Sequence, residues 1–504
     1  MKGKLVIRKF YWDISVILFS LFFAITPASC SKSDNPASLP DTFTPELSAT
    51  PASVTFAEDG GNTTISVVSN TSWTVNSSES WCRSTVQASN KNATISIIVD
   101  ANTVESRRTA TLTLKANEVS DILIEVTQAA KAPEITVPGE ADSIAPDLTG
   151  MGSDAFTLAS KIKVGWNLVN TLEAIGGETN WGNPKTTNDL IVAVKAAGFN
   201  AVRLPCSWDQ YLEDQTTYKI SDTWIQRVKE VVDYCVSNDI YTILNIHWDG
   251  GWMEENCVSA KQEEVNRKLA NIWKQIAIHF RDYDEHLLFA GANEPNADTQ
   301  EKVNVLNVYM QTFVDVVRST GGRNAYRNLI IQAPNTDIDK ADQFMTMPTD
   351  NVQNRLFAEV HYYTPWNFCG LEKDASWGKA YYFWGTPNHV TDAADRYNSS
   401  YEEDFVKSQF KKIKTRLVDN GYPVILGEFG AIHRNLSSLN QGWQQKHDES
   451  RAYFNRVVAR EAKNNGLIPF CWDNGIFNRN NYAIIDSLTY NGLINGASEG
   501  SFPF

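Results

Sequence analysis

The hydrophobic and polar positions follow two different patterns along the chain. Between about residues 48 and 129, short runs alternate apolar and polar residues, are rich in β-branched side chains and are separated by Gly, Asn, Ser and Asp. Alternation with a period of two predicts strands that bury one face. The predicted strands are 53–56, 64–68, 73–75, 93–99, 108–114 and 122–127. Residues 48–129 are therefore predicted to form a small all-β, immunoglobulin-like sandwich, followed by a linker at 130–140.

From about residue 141 to the end at 504, apolar runs alternate with longer amphipathic segments. One such segment has apolar residues at helical spacing, at Trp224, Val228, Val231, Val232 and Cys235. The candidate strands are 162–167, 201–205, 241–247, 287–293, 329–332, 356–362, 423–428 and 467–472. Eight β/α units predict an α/β fold, the (β/α)8 TIM barrel. The alternative is an open doubly wound sheet, which is disfavoured because no GxGxxG-type turn follows the first strand.

The N-terminus has the pattern of an export signal. Four basic residues among the first nine precede an apolar stretch at about 14–25, and small residues stand directly before Cys30. This arrangement resembles a bacterial lipobox, so we predict a lipoprotein signal peptide at 1–29, lipidation of Cys30 and a flexible tether at 30–47. The expected location is the outer membrane, at the cell surface or in the periplasm. A plain signal peptide or an uncleaved anchor remains the alternative.

Composition restricts the partners. A net charge of −14 argues against nucleic acid as a partner and is compatible with a neutral polymer. Most of the 15 Trp and 18 Tyr are expected in the core, with a minority on loops available to stack on sugar rings. The cysteines other than Cys30 follow no metal-binding spacing, so buried free thiols are expected, although a disulfide remains possible.

Polar and aromatic residues gather where the predicted barrel strands end. In a TIM barrel the carboxyl ends of the strands line the active site. The residues at these ends are Arg203, His247, Trp248, Asn293, Glu294, His361, Tyr363, Glu428 and Trp472. Glu294 and Glu428 end the fourth and seventh strands, which approach each other across a barrel. Cleavage of a glycosidic bond requires such a pair of carboxyl groups, and a separation of ~5–5.5 Å makes the second one a nucleophile.

The ordered motifs around these residues resemble glycoside hydrolase family 5, and are most similar to its subfamily 4. The motifs are GWNLVNTLEA (165–174), WGNP (181–184), VRLP (202–205), NIHW (245–248), ANEP (292–295), HYY (361–363) and GEFG (427–430). The resemblance covers about residues 150–495. The sequence departs from the family at Val169, Trp248 and Ala290, where Gly, His and Glu are frequent. These departures remove no catalytic group but weaken a substrate assignment by analogy.

The resemblance implies a retaining endo-β-1,4-glucanase. Glu294 would be the general acid/base and Glu428 the nucleophile. The residues implied in substrate binding are Arg203 and Tyr363 beside the nucleophile, Asn293 at the sugar 2-hydroxyl, His247 and His361 in the −1 subsite, Trp472 as its stacking platform, and Trp248, Asn170 and Trp181. No metal or organic cofactor is expected, and the chain is expected to be a monomer. Arg203 is expected to lower the pKa of its carboxyl neighbour, because a nearby cation favours the ionised form.

The sequence leaves alternatives for the substrate and for the roles of the accessory segments. Subfamily resemblance suggests xyloglucan, mixed-linkage glucan or cellulose-like chains, and the alternatives are a β-mannanase or xylanase, or a non-catalytic glycan-binding surface protein. Residues 48–129 resemble the BACON domain of Bacteroidetes proteins, which implies either carbohydrate binding or, as we favour, a spacer. The aromatic segment at 365–384 is interpreted as a set of sugar contacts or as a loop that packs on itself.

Overall fold

The computed structural model describes residues 44–104, 106–131 and 141–504. The chain divides into two compact units, one ending at Pro133 and the other beginning at Glu134. Within the described ranges no helix has both the length and the apolar character that crossing a membrane requires. The predicted signal peptide, Cys30, most of the tether and most of the linker lie outside the described residues.

The N-terminal unit is all-β, as predicted. Its strands are β1 (Leu47–Thr50), β2 (Ser53–Phe56), β3 (Gly61–Ser69), β4 (Trp73–Ser77), β5 (Cys82–Ser84), β6 (Ala88–Ser89), β7 (Ala93–Val99), β8 (Arg108–Ala116) and β9 (Ile122–Gln128). They form one sheet in the order β1-β3-β7-β5 and another in the order β2-β9-β8-β4-β6. The apolar positions of the alternating pattern, such as Ile65, Val67, Leu112 and Leu114, are buried. The alternation did not predict the short strands β1, β5 and β6.

The C-terminal unit is a closed parallel barrel, which confirms the predicted fold. Its strands are β10 (Gly165–Asn167), β11 (Ala201–Leu204), β12 (Tyr241–Asn245), β13 (Leu287–Ala290), β14 (Leu329–Gln332), β15 (Leu356–Tyr362), β16 (Val424–Phe429) and β17 (Leu467–Cys471), paired in chain order. Strand β10 begins three residues later than predicted, because Ile162 caps a preceding helix. Strands β12 and β13 end before His247 and Asn293, which lie on the loops at the rim.

Ten helices are found in the described residues. They are α1 (Ala155–Lys161), α2 (Asn188–Ala196), α3 (Asp222–Ser237), α4 (Gln262–His279), α5 (Gln300–Ser319), α6 (Ile338–Phe344), α7 (Trp366–Cys369), α8 (Glu403–Arg416), α9 (Gln441–Asn464) and α10 (Ser487–Glu499). Helix α9 begins at Gln441 and is capped by the Asn440 side chain. Its first turns are polar, so the apolar periodicity did not reveal them.

The barrel interior changes from apolar to polar along its axis. One cluster joins buried residues of the strands, such as Ala201, Phe357 and Ile425, to Leu158 and Ile162 at helix α1. Further along the strands the buried residues become polar, and they include Arg203, Glu359 and Glu428. The polar layer therefore lies at the carboxyl ends of the strands, where a TIM barrel places its chemistry.

A bulge at Gly427 sets the direction of Glu428. Val360 pairs with Leu426 and His361 pairs with Glu428, so Gly427 is an extra residue on β16. A Cβ atom at Gly427 would lie 1.9 Å from the Glu359 carboxyl oxygen. Only glycine leaves room for that carboxyl group inside the barrel.

Candidate active site

Glu428 is buried and held by two donors. The Arg203 guanidinium donates to Oε1 at 2.9 Å, and the Tyr363 hydroxyl donates to Oε2 at 3.0 Å. Burial raises the pKa of Glu428, while the positive charges of His361 and Arg203 oppose the rise. The predicted partners are in place and Arg203 lowers the pKa of Glu428 as expected, but the desolvation of this buried carboxyl group outweighs the cations around it.

Arg203 connects the strands around the site. Its side chain is completely buried, and Nη1 also donates to Asn167 at 3.1 Å, while Nη2 donates to Asn293 Oδ1 at 2.8 Å. Its Nε atom lies 3.0 Å from a Glu359 carboxyl oxygen. One guanidinium thereby contacts groups on four other strands or strand ends, which its planar set of donors allows.

Glu294 stands opposite Glu428 and is much more open. Its side chain is 44% exposed, and its Oε1 atom lies 2.7 Å from Nδ1 of His361. Single ligand atoms of Glu294, His361 and Glu428 all lie within 4.8 Å of one another. This close approach of the two carboxyl groups fits the ~5–5.5 Å separation of a retaining mechanism better than the roughly 6.5–9.5 Å of an inverting one.

His361 bridges the two sides of the cluster. Nε2 lies 3.2 Å from Glu359, whose other oxygen accepts a hydrogen bond from Gln332 at 2.6 Å. Burial lowers the pKa of His361, but the carboxylates of Glu428, Glu294 and Glu359 outweigh burial and raise that pKa to about 10. Burial would raise the pKa of Glu359, yet Arg203 and His361 lower it. The imidazolium and the guanidinium therefore balance two buried carboxylates.

His247 and Trp472 form an aromatic wall. Their rings stack with centroids 6.0 Å apart and planes inclined by 14°. Nδ1 of His247 lies 3.3 Å from the Asn245 side-chain nitrogen. Burial, with the positive charges of Arg203 and His361, holds the pKa of His247 well below its usual range, so this imidazole is neutral.

The remaining predicted binding residues lie on the loops. Trp248 is half-buried and its indole nitrogen donates to Glu255 at 3.4 Å. Asn170 is exposed in the left-handed region (φ 56°), and its backbone N–H donates to the buried Glu173. Trp181 is 42% exposed. Asn170 and Trp181 are therefore accessible to solvent.

Three buried polar residues of the site escaped the sequence analysis. Glu359 and Gln332 lie on β15 and β14, and Glu254 lies in the loop after β12. The sequence contains a signal for Glu359, which is a charged residue in an apolar strand two positions before His361. Alternate residues of a strand face the same side, so Glu359 and His361 are expected to point the same way. Glu254 had no such signal, because it lies in a loop without periodicity.

The segment at 365–384 packs on itself, as one of its two interpretations predicts. Tyr382, Phe383 and Leu371 belong to a small separate apolar core, and Trp384 is only 1% exposed. Trp366 and Trp377 remain 45% and 61% exposed. The loop therefore packs on itself while leaving two indole rings accessible.

Comparisons with known proteins agree with this geometry. The model of the Cellulase family (glycosyl hydrolase family 5) matches residues 164–478, and a Viral BACON domain model matches residues 46–131. A xyloglucan-specific endo-β-1,4-glucanase of Bacteroides ovatus is 36% identical over 92% of this chain and 92% of its own length. Endoglucanase A of Paenibacillus barcinonensis is 34% identical over 69% of this chain and 90% of its own length.

Solved structures give the same family. A Bacteroides ovatus GH5 xyloglucanase in complex with a XXXG heptasaccharide superposes with a TM-score of 0.67 at 35% identity, covering 90% of this chain and all of the other. A GH5-4 broad specificity endoglucanase from Clostridium cellulovorans has a TM-score of 0.59 at 30% identity, covering 68% and 99%. The predicted family and enzyme class are confirmed: the chain belongs to glycosyl hydrolase family 5 and is a glycoside hydrolase of its endoglucanase group.

Proposed function

We propose that this enzyme cleaves internal β-1,4-glucosidic bonds of xyloglucan by double displacement, with Glu294 as general acid/base and Glu428 as nucleophile. The observation that carries the proposal is the pair itself. The two carboxyl groups come within 4.8 Å, one buried beside a guanidinium and the other half-exposed. Different surroundings for two neighbouring carboxyl groups are what allow one to act as an anion and the other as an acid.

In the first step Glu294 donates its proton to the leaving glycosidic oxygen while a Glu428 oxygen attacks the anomeric carbon. The C–O bond breaks, the new chain end leaves and a covalent glycosyl–enzyme forms. The negative charge of Glu428 is consumed in this bond. Glu294, now ionised, removes a proton from a water molecule, and the water oxygen attacks the anomeric carbon. This attack releases Glu428 and leaves the anomeric carbon with its original configuration.

Arg203 and Tyr363 have a clear task in this scheme. Both donate hydrogen bonds to the Glu428 carboxylate, so they orient the attacking oxygen and stabilise its charge before the reaction and after hydrolysis. Arg203 also fixes Asn293, because its guanidinium donates to Oδ1 of that side chain at 2.8 Å. Trp472 and His247 offer a flat wall against which the −1 sugar packs.

The preference for xyloglucan is supported by the relatives named above and by the rim. The relative that matches over most of both chains is named xyloglucan-specific. Trp181, Trp366 and Trp377 expose aromatic surface on the loops after β10 and β15, and such surface suits stacking on sugar rings. A broad-specificity endoglucanase is the second candidate, because solved structures so described also align over about two thirds of the chain.

Initial rates on purified xyloglucan, mixed-linkage glucan, mannan and xylan test the proposal. We expect the highest kcat/KM on xyloglucan, whereas equal rates on the two glucans would favour the second candidate. Selective turnover of mannan or xylan would overturn it. Glu428→Gln and Glu294→Gln are expected to reduce hydrolysis by at least ~100-fold, and wild-type rates in either variant would overturn the site assignment.

For the N-terminal part we propose lipidation of Cys30, an outer-membrane location and a spacer role for the all-β unit. The spacer role is supported by the two Trp side chains of that unit, because Trp73 is buried and Trp81 is half-buried beneath the Arg108 guanidinium at 4.2 Å. Metabolic labelling with a fatty acid should mark the wild type but not Cys30→Ser. Polysaccharide pull-down with the isolated unit would contradict the spacer role if the unit bound.

A further inference from the structure

Glu254 is a buried carboxyl group directly behind the candidate acid/base. It lies in the loop after β12 and is 5% exposed. Its Oε1 atom accepts the backbone N–H of Glu294, and its own backbone carbonyl accepts the N–H of Asn296 at 2.8 Å.

The segment that these bonds hold has no regular secondary structure. Residues 293–297 follow β13 and carry both Asn293 and Glu294. From the other side Asn335 donates its N–H to Pro295 at 2.8 Å and accepts the N–H of Ala297 at 3.1 Å. The Glu294 N–H instead donates to Glu254. A loop lacks the backbone hydrogen-bond ladder of a sheet, so it needs hydrogen-bond partners of this kind to keep a side chain in one place.

We propose that Glu254 is a positioning residue, which fixes the acid/base Glu294 through its backbone N–H. The inference rests on the proposed role of Glu294. Glu254 itself does not act on the sugar.

The charge state of Glu254 suits this task. Burial, with the negative charges of Glu294 and Glu428, raises the pKa of Glu254 to about 8, although the Glu294 N–H opposes the rise. At neutral pH the group is therefore a neutral acid that accepts hydrogen bonds without adding a third anion beside the reacting carboxyl groups. A glutamine at this position keeps the size and the accepting oxygen, whereas an alanine removes both.

The test uses the full chain and two substrates that differ in their need for an acid. Cleavage of xyloglucan requires protonation of the leaving oxygen, whereas a dinitrophenyl β-cello-oligosaccharide has a leaving group that departs without it. Glu254→Ala, Glu254→Gln and Glu294→Gln are compared by kcat and KM on both. Glu285→Gln is the matched control, because Glu285 also accepts a backbone N–H, from Ser153 at 2.8 Å, but precedes β13 at its opposite end.

We expect Glu254→Ala to lower kcat on xyloglucan by roughly tenfold to a hundredfold, as a displaced catalytic group does, with KM nearly unchanged. Its kcat/KM on the dinitrophenyl glycoside should stay within about threefold of the wild type, and Glu254→Gln should stay within about threefold on both substrates. Glu285→Gln should match the wild type.

Wild-type kcat on xyloglucan in Glu254→Ala, equal losses in the alanine and glutamine variants, or equal losses on both substrates would each overturn the positioning role. The Glu294→Gln variant distinguishes failure of the positioning role of Glu254 from failure of the proposed function. If Glu294→Gln shows the selective loss and Glu254→Ala does not, only the role of Glu254 fails. If Glu294→Gln loses both substrates equally, the assignment of the acid fails first.

Discussion

At the scale of single residues, the site depends on how a few charges are surrounded. Arg203 is buried and contacts Glu428, Glu359 and Asn293 at 2.8 to 3.0 Å. A buried cation with several acceptors cannot be exchanged for a point charge without leaving some of them unpaired. The charge of the site and its geometry are therefore set by the same side chain.

Arg203→Lys is expected to lower kcat/KM by about 100-fold, because an ammonium group cannot bridge the acceptors that the guanidinium fork reaches. The free energy of unfolding should fall by about 3 kcal/mol, since Glu359 would lose a buried partner. Steady-state kinetics and urea unfolding measure the two effects. A lysine variant with wild-type kinetics would show that the fork is dispensable.

Tyr363→Phe is expected to shift the pH profile of activity. The hydroxyl hydrogen bond lowers the pKa of Glu428 against burial, so its loss raises that pKa. The nucleophile must be ionised, hence the acidic limb of the kcat/KM profile should move to higher pH. A limb that stays in place or moves to lower pH would contradict the contact of the hydroxyl with the nucleophile.

Gly427→Ala is expected to destabilise the barrel and reduce activity, because the new Cβ would meet the Glu359 carboxyl group at 1.9 Å. Overpacking of this kind costs about 1–3 kcal/mol. Gly152→Ala is the matched control, since a Cβ there meets nothing within 4 Å and its φ is ordinary. Thermal unfolding of both variants checks the prediction, and equal melting temperatures would contradict it.

At the scale of elements, the strand ends and the loop after β15 show the limit of sequence patterns. Periodicity placed β14 and β15 at their observed residues, because apolar runs of four and seven residues are strong signals. In the loop at 365–384 the sequence showed no periodicity, only an excess of aromatic residues. Which rings are buried depends on partners such as Leu436 and Trp443, which lie more than fifty residues away in the chain.

Two tryptophans of this loop are expected to respond differently to substitution. Trp384→Ala removes a ring that is 1% exposed and should lower the free energy of unfolding by about 3–5 kcal/mol. Trp377→Ala removes a ring that is 61% exposed, so stability should be unchanged while KM for xyloglucan rises. Urea unfolding and kinetics on one preparation of each variant measure both effects. An unchanged KM in Trp377→Ala would remove this ring from substrate binding.

At the scale of the whole molecule, buried carboxyl groups couple folding to pH. Burial raises the pKa of Glu173 to about 7, against the hydrogen bonds that it accepts from Thr171 and Asn170. The folded state therefore keeps a proton that the unfolded chain releases above its ordinary value of 4.5. Stability from this group is present below pH 4.5 and is lost as the pH rises to about 7. Glu254 and His361 act in the same direction at higher pH.

Glu173→Gln is expected to flatten the fall in stability between pH 5 and 7, where Glu173 contributes a change of about 2 kcal/mol. Urea unfolding of the wild type and the variant at several pH values measures the slopes. Equal slopes would show that Glu173 is ionised in the folded state.

The sequence by itself determined the two folds, the order of the eight barrel strands and the ends on which Glu294, Glu428, Arg203 and His361 lie. These features follow from local periodicity and from the rule that parallel strands present their carboxyl ends on one side. The tertiary structure decided the electrostatics. Burial raises the pKa of Glu428 despite Arg203, and the loop residue Glu254 supports Glu294 from 40 positions away. Desolvation and contacts between distant loops depend on the packed chain, which no local pattern records.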